Sequence, residues 1–128
     1  MKKILLLVFL LTNLSLIGQD FYRAKYFEVG YKDTLTKEIF WQDKEKMEPT
    51  LITMGSRRIT VHSEKLQQYF IQGVKSNLDD FEGFSSKAIN SEGKDFAILF
   101  YKDVDDVNYL LIENEVYLLK LSLFYLEQ

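Results

Sequence analysis

Residues 96–123 read FAILFYKDVDDVNYLLIENEVYLLKLSL, and the fold turns on this stretch. Three apolar runs, Phe96 to Lys102, Val107 to Glu113 and Val116 to Leu123, are separated only by Asp103–Asp106 and Asn114–Glu115. Asp and Asn at such junctions close tight turns through their own side chains. Runs this short, rich in Tyr, Ile, Leu and Val, read as strands rather than helices. Strands joined by tight turns pair antiparallel, so the segment is a meander. Phe96 to Tyr101 leaves neither face polar, which marks a central strand.

The same pattern repeats upstream. Arg58 to Ser63 alternates Ile59 and Val61 against Thr60 and His62, and Glu64-Lys65 turns it into Leu66 to Gln72. Thr50 to Met54 is a strand opened by Pro49, which a sheet accepts only at a strand start or an edge. Glu38 to Gln42 carries Ile39, Phe40 and Trp41, and the charged run Asp43 to Glu48 reads as a solvated connection. Phe21 to Lys32 opens the sheet with an apolar parity that switches at Tyr26-Phe27, as a bulge requires. Val74 to Phe84 reads as a polar, acidic loop ending in Gly83, followed by a short strand from Ser86 to Asn90 and a turn to Gly93. The expected fold is all-β, an antiparallel meander of about eight or nine strands forming a small barrel or sandwich, because so wide a sheet must curl or double over.

Ahead of this domain, Met1, Lys2 and Lys3 give a basic start, and Ile4 to Leu11 is an unbroken apolar run extended by Leu14, Leu16 and Ile17. The pattern is that of a cleavable secretory signal over residues 1–19, too short for a membrane-spanning helix. Neither Leu16-Ile17-Gly18 nor Ile17-Gly18-Gln19 is an ideal cleavage site, and the cut is placed near Gln19 or Asp20. Residues 20–128 then form one β domain, bacterial and exported to the periplasm or the medium, without a membrane span once the signal is removed. Losing Lys2 and Lys3 leaves 14 basic against 19 acidic residues. Such an acidic chain repels phosphate backbones, so nucleic acid is not expected as a partner. The absence of cysteine in all 128 residues excludes disulfides, thiol catalysis and thiolate metal sites.

The run Ile59 to Ile71, the acidic Asp79-Asp80-Phe81-Glu82-Gly83, and Ala88-Ile89-Asn90-Ser91-Glu92-Gly93-Lys94 ahead of an apolar strand resemble a pattern common among small exported bacterial all-β proteins of unknown function. The resemblance implies an exported β-domain and assigns neither activity nor site residues.

The chemistry open to this chain is narrow. His62 is the only histidine, so no site can be built from several imidazoles, and it faces away from Ile59 and Val61 with no Gly-x-Ser-x-Gly motif to accompany it. Asp103, Asp105, Asp106 and Asn108 imitate the start of a calcium loop, yet Asn108 and Asn114 stand where glycine and a bidentate glutamate are needed. Asp79, Asp80 and Glu82 read as solvated turn acids. No cofactor and no metal are expected. The compositional excess is aromatic, ten Phe, eight Tyr and one Trp. Some of these rings are expected on the outer face, with Tyr22, Tyr26, Trp41 and Tyr69 as candidate binding residues. The expected function is a non-enzymatic binding domain that holds an envelope protein or a glycan through surface aromatics and an edge strand. A calycin-like barrel carrying a small apolar ligand is the alternative, and a carboxylate-dependent hydrolase the third.

Overall fold

The computed structural model describes residues 19–126, so the leader, save Gln19, lies outside the described residues. Nine strands follow in chain order: β1 (Asp20–Lys32), β2 (Ile39–Trp41), β3 (Glu45–Met54), β4 (Arg58–Val61), β5 (Gln67–Asn77), β6 (Glu82–Asn90), β7 (Asp95–Lys102), β8 (Asn108–Glu113) and β9 (Tyr117–Tyr125). All belong to one antiparallel sheet in the order β2-β1-β3-β4-β5-β6-β7-β8-β9. β1 also pairs with β9, from Tyr22 opposite Tyr125 to Tyr31 opposite Tyr117, which closes eight strands into a barrel. β2 and β3 lie along the same edge of β1, so β2 continues the line of β3 beyond the barrel wall. The segment from Val116 onward therefore seals the barrel and presents no free edge; the free apolar edge belongs to β2.

Turn chemistry sets the hairpins. Asp33, Asn90, Asp103 and Asn114 each accept backbone N–H bonds on Oδ1 from residues two to four positions on, at 2.8–3.0 Å. Asp103 is thereby a turn-closing residue, bonded by Asp105 and Val107. The register shift that the parity of β1 calls for falls between Ala24 and Tyr26, one residue before the Tyr26-Phe27 switch.

Three strands depart from the sequence reading. β3 begins at Glu45, so most of the charged run taken for a connection is strand, and Pro49 lies inside β3 rather than at its start. Pro49 is tolerated because it sits where the β1–β3 ladder breaks, between the pairs Ala24–Thr50 and Tyr26–Lys46, and its missing N–H is not needed. β5 and β6 extend to Asn77 and back from Glu82, with a bulge between Gln72 and Ser76, where the sequence reads as a loop.

Inside, Ala24, Ile52, Ile59, Ile98, Leu110, Ile112 and Leu123 are fully buried, with Phe27, Phe84, Phe96, Phe100 and Leu119 packed against them. An eight-stranded barrel is just wide enough for its side chains to fill it. Strands β1, β3, β5, β6 and β9 reach nine residues or more, so length does not separate this barrel from a membrane-spanning one. Its interior is apolar and filled, whereas spanning barrels face polar side chains inward. Among the described residues no helix is long and apolar enough to cross a membrane.

Candidate binding surface and barrel mouths

Alternate residues of a strand face opposite sides of the wall, so the ladder dictates which rings meet outside. Tyr101 of β7 pairs with Tyr109 of β8, Tyr109 with Ser122 of β9, and Ser122 with Tyr26 of β1. This row crosses four strands on the outer wall. The rings of Tyr101 and Tyr109 lie 5.3 Å apart. Phe81 continues the row at one end, 5.5 Å from Tyr101, and Phe124 at the other, 6.5 Å from Tyr26. Phe81 and Phe124 are 44% and 41% exposed, whereas Ser122 between the central rings is 3% exposed. Apolar area is thus held at the surface while the row's one aliphatic hydroxyl is covered.

Three ammonium groups lie over these rings: Lys120 Nζ over Tyr109 at 4.4 Å, Lys25 Nζ over Phe124 at 4.8 Å, and Lys44 Nζ over Tyr26 at 5.0 Å. Each such contact contributes about 0.5–1 kcal/mol at an exposed site. Partial burial raises the pKa of Tyr109, assisted by the charge of Asp103 and by the hydrogen bond to it. The next outward ladder row adds Leu99 opposite Leu111. Beyond it Leu118 pairs with Gly30, and Gly30 with Trp41. A Cβ on Gly30 would lie 2.7 Å from Ile39 Cγ2 and 3.1 Å from Trp41 Cε3, so glycine here seats the short β2 flat against the wall. Trp41 remains 43% exposed.

Of the four candidate rings, Tyr26 and Trp41 lie on this outer wall. Tyr22 and Tyr69 do not: at 7% and 6% exposure they are core residues, placed toward opposite ends of the barrel. The correction follows from parity, since Tyr22 shares its face with Ala24, and Tyr69 with Ile71, both buried. Phe81, Tyr101, Tyr109 and Phe124 share the outer row with Tyr26 and were not among the candidates. Their signal was the double-faced apolarity of Phe96 to Tyr101: in a closed barrel one face of every strand is the outside, so such a strand marks an outer apolar patch.

At the Asp20 end of the barrel, Tyr22, Phe100 and Tyr125 lie around an open depression of about 350 Å³ that Asp20, Glu82, Lys102 and Asn108 also line. At the Lys32 end, Tyr69 meets Phe96 edge-on at 5.2 Å and donates its hydroxyl to Gln67 Oε1 at 2.9 Å, beside a depression of about 250 Å³. His62 lies on the polar wall, its Nε2 3.3 Å from Thr53 Oγ1.

Burial pushes both core tyrosines up to about 12, with Asp20, Tyr125 and Glu82 adding to the effect at Tyr22 and Tyr117 at Tyr69. An unfolded tyrosine ionises near 10, so the fold favours the neutral phenol. This contribution is intact below pH 10 and is lost as the pH rises from 10 through 12. Absorbance at 295 nm should resolve two tyrosines ionising near pH 12, with Tyr22→Phe and Tyr69→Phe each removing one. Complete ionisation of all eight by pH 11 would contradict the burial of both rings.

No family model, curated protein or solved structure matches this chain.

Proposed function

We propose that this chain is an exported, non-enzymatic binding domain that docks a partner protein of the cell envelope on its outer wall. The contact centres on Tyr101, Tyr109 and Tyr26, and the apolar edge of β2 extends it. One observation carries the reading: a row of rings crosses four strands on the outside of a barrel whose core is already filled, with its ends open to solvent. Tyrosine and phenylalanine are enriched at the centres of protein interfaces, where they bury large area at low entropic cost. Leu99 and Leu111 flank the row, and Ser122 is covered, so the surface offers apolar area rather than the dense hydrogen-bonding array that a sugar would use. Export rests on the basic and apolar pattern of residues 1–19. Four depressions among the described residues, at the mouths and on the wall, are open, which favours surface binding over an enclosed apolar cargo.

Photo-crosslinkers replacing Phe81, Phe124 or His62, one at a time, test this in the intact cell envelope. The first two should trap the same protein and the third should not, and Tyr109→Ala should cut the yield about tenfold. Equal trapping from His62 would sink the reading. Retention by a polysaccharide gel that Tyr109→Ala abolishes, without any protein adduct, would assign the wall to a glycan instead.

A further inference from the structure

The depression at the Asp20 end has a construction that the outer-wall reading does not use. Tyr22 forms its base, and two rings stand steeply against it: Phe100 at 5.6 Å and 61°, and Tyr125 at 5.3 Å and 65°. Edge-on pairs of this kind turn ring faces in more than one direction around a single space, and the face of a ring is the negative part of its quadrupole. The rim comes from the inward-facing positions at the strand ends, where Glu82 pairs with Lys102 and Lys102 with Asn108, while Asp20 opens β1 across the mouth. Two carboxylates therefore oppose one ammonium, and the mouth carries net negative charge. The carboxylates reach the base of the site: both Asp20 and Glu82 contribute to the upward shift of Tyr22.

We propose that this mouth is a receptor site for a small organic cation of the quaternary ammonium class, held against the rings of Phe100 and Tyr125 above the buried Tyr22 and neutralised by Asp20 and Glu82. The ligand class follows from the chemistry. An anion would meet ring faces and two carboxylates. A neutral apolar ligand would bring no charge to the acids, and a hydrated metal ion gains nothing from ring faces. A methylated ammonium spreads its charge over an apolar surface, loses little hydration energy on entry, and is the cation for which aromatic boxes are best suited. The space of about 350 Å³ admits it with room for a polar tail toward Asn108. Lys102 is the chain's own competitor at the rim. This inference is independent of the outer wall, and either can fail alone.

The test is a titration of the folded chain with choline at constant ionic strength, followed by NMR, against the uncharged alcohol in which a tert-butyl group replaces the trimethylammonium. Choline should saturate resonances of Tyr22 and Phe100, and the neutral isostere should bind about tenfold more weakly or worse. Tyr125→Ala changes a ring that is 54% exposed and should weaken choline about tenfold while the chain stays folded, with a melting temperature only a few degrees lower. Glu82→Gln should weaken it about two- to fivefold, and Lys102→Met should tighten it by a similar factor. Equal affinity for choline and its isostere, unchanged affinity in a stable Tyr125→Ala chain, weaker binding in Lys102→Met, or no saturation up to about 100 mM choline would each overturn the proposal.

Discussion

Gly83→Ala is expected to destabilise the barrel by about 3 kcal/mol or more, read as the loss of unfolding free energy in urea by circular dichroism. Two costs combine. Gly83 has φ of 153°, a conformation open to glycine and strained for any L side chain. Its missing Cβ also faces the neighbouring strand: a methyl group there would overlap the carbonyl oxygen of Phe100 and lie 2.8 Å from Tyr101 Cα. These are backbone atoms, held in the β6–β7 ladder, and they cannot swing aside as a flexible side chain does. Relief would require β6 to move off β7 where Gly83 pairs with Tyr101, which would also disturb the seating of Phe81 on Tyr101. Gly93→Ala supplies the control, because Gly93 has φ of 79° with nothing within 4 Å of the added methyl. It should cost only the conformational term, about 1 kcal/mol. If the two substitutions cost the same, the close approach of β6 and β7 at Gly83 is wrong.

Most of this architecture is legible in the sequence, and the parts that are not share one cause. Strands with a buried face announce themselves, as Ile59 and Val61 or Leu110 and Ile112 do, because burial imposes alternation. Glu45 to Glu48 and Gly73 to Asn77 carry no such pattern. The ladder from β3 to β4 runs only between Ile52–Val61 and Met54–Ile59, so Glu45 to Glu48 overhang β4, as does the far end of β5. Of these residues only Met47 packs, in part, against the core. Hydrogen bonds to one neighbouring strand hold them, and such bonds leave no mark on side-chain choice. The grouping of rings at the Asp20 end was hidden for a related reason, although Tyr22 itself was among the candidates. Tyr22, Phe100 and Tyr125 come from three strands, and Tyr125 meets Tyr22 only because β9 closes onto β1, a long-range pairing that local periodicity does not specify. Trp41, by contrast, was readable as a candidate outer ring, because Phe40 and Trp41 are adjacent aromatics and cannot both face one side of a strand; it remains 43% exposed.

Leu110→Ala and Leu111→Ala, adjacent on β8, should separate the barrel's stability from its binding surface. Leu110 is fully buried and lies in the inward layer between Phe100 and Leu121, so truncation leaves a cavity at a point enclosed by the other strands. The expected cost is about 3 kcal/mol, a transfer term plus a cavity term, because the closed wall limits how far the site can collapse. Leu111 points outward beside Leu99 and Lys120, and its truncation should cost about 1 kcal/mol or less. Partner binding should show the reverse order. Folded Leu110→Ala keeps the outer row of Tyr101, Tyr109 and Tyr26 in register and should retain its partner, while Leu111→Ala removes apolar area next to that row and should lose affinity about tenfold. Urea unfolding gives the first comparison, and crosslinking yield from Phe81 under native conditions gives the second. If Leu111→Ala were as costly to stability as Leu110→Ala, the outer leucines and rings would be packing that the fold requires, and no separate surface would be left for a partner. If it cost little and bound normally, the wall would be exposed without being used. Only the crossed result, stability lost from the inward leucine and binding lost from the outward one, fits a filled barrel that carries its recognition surface on the outside.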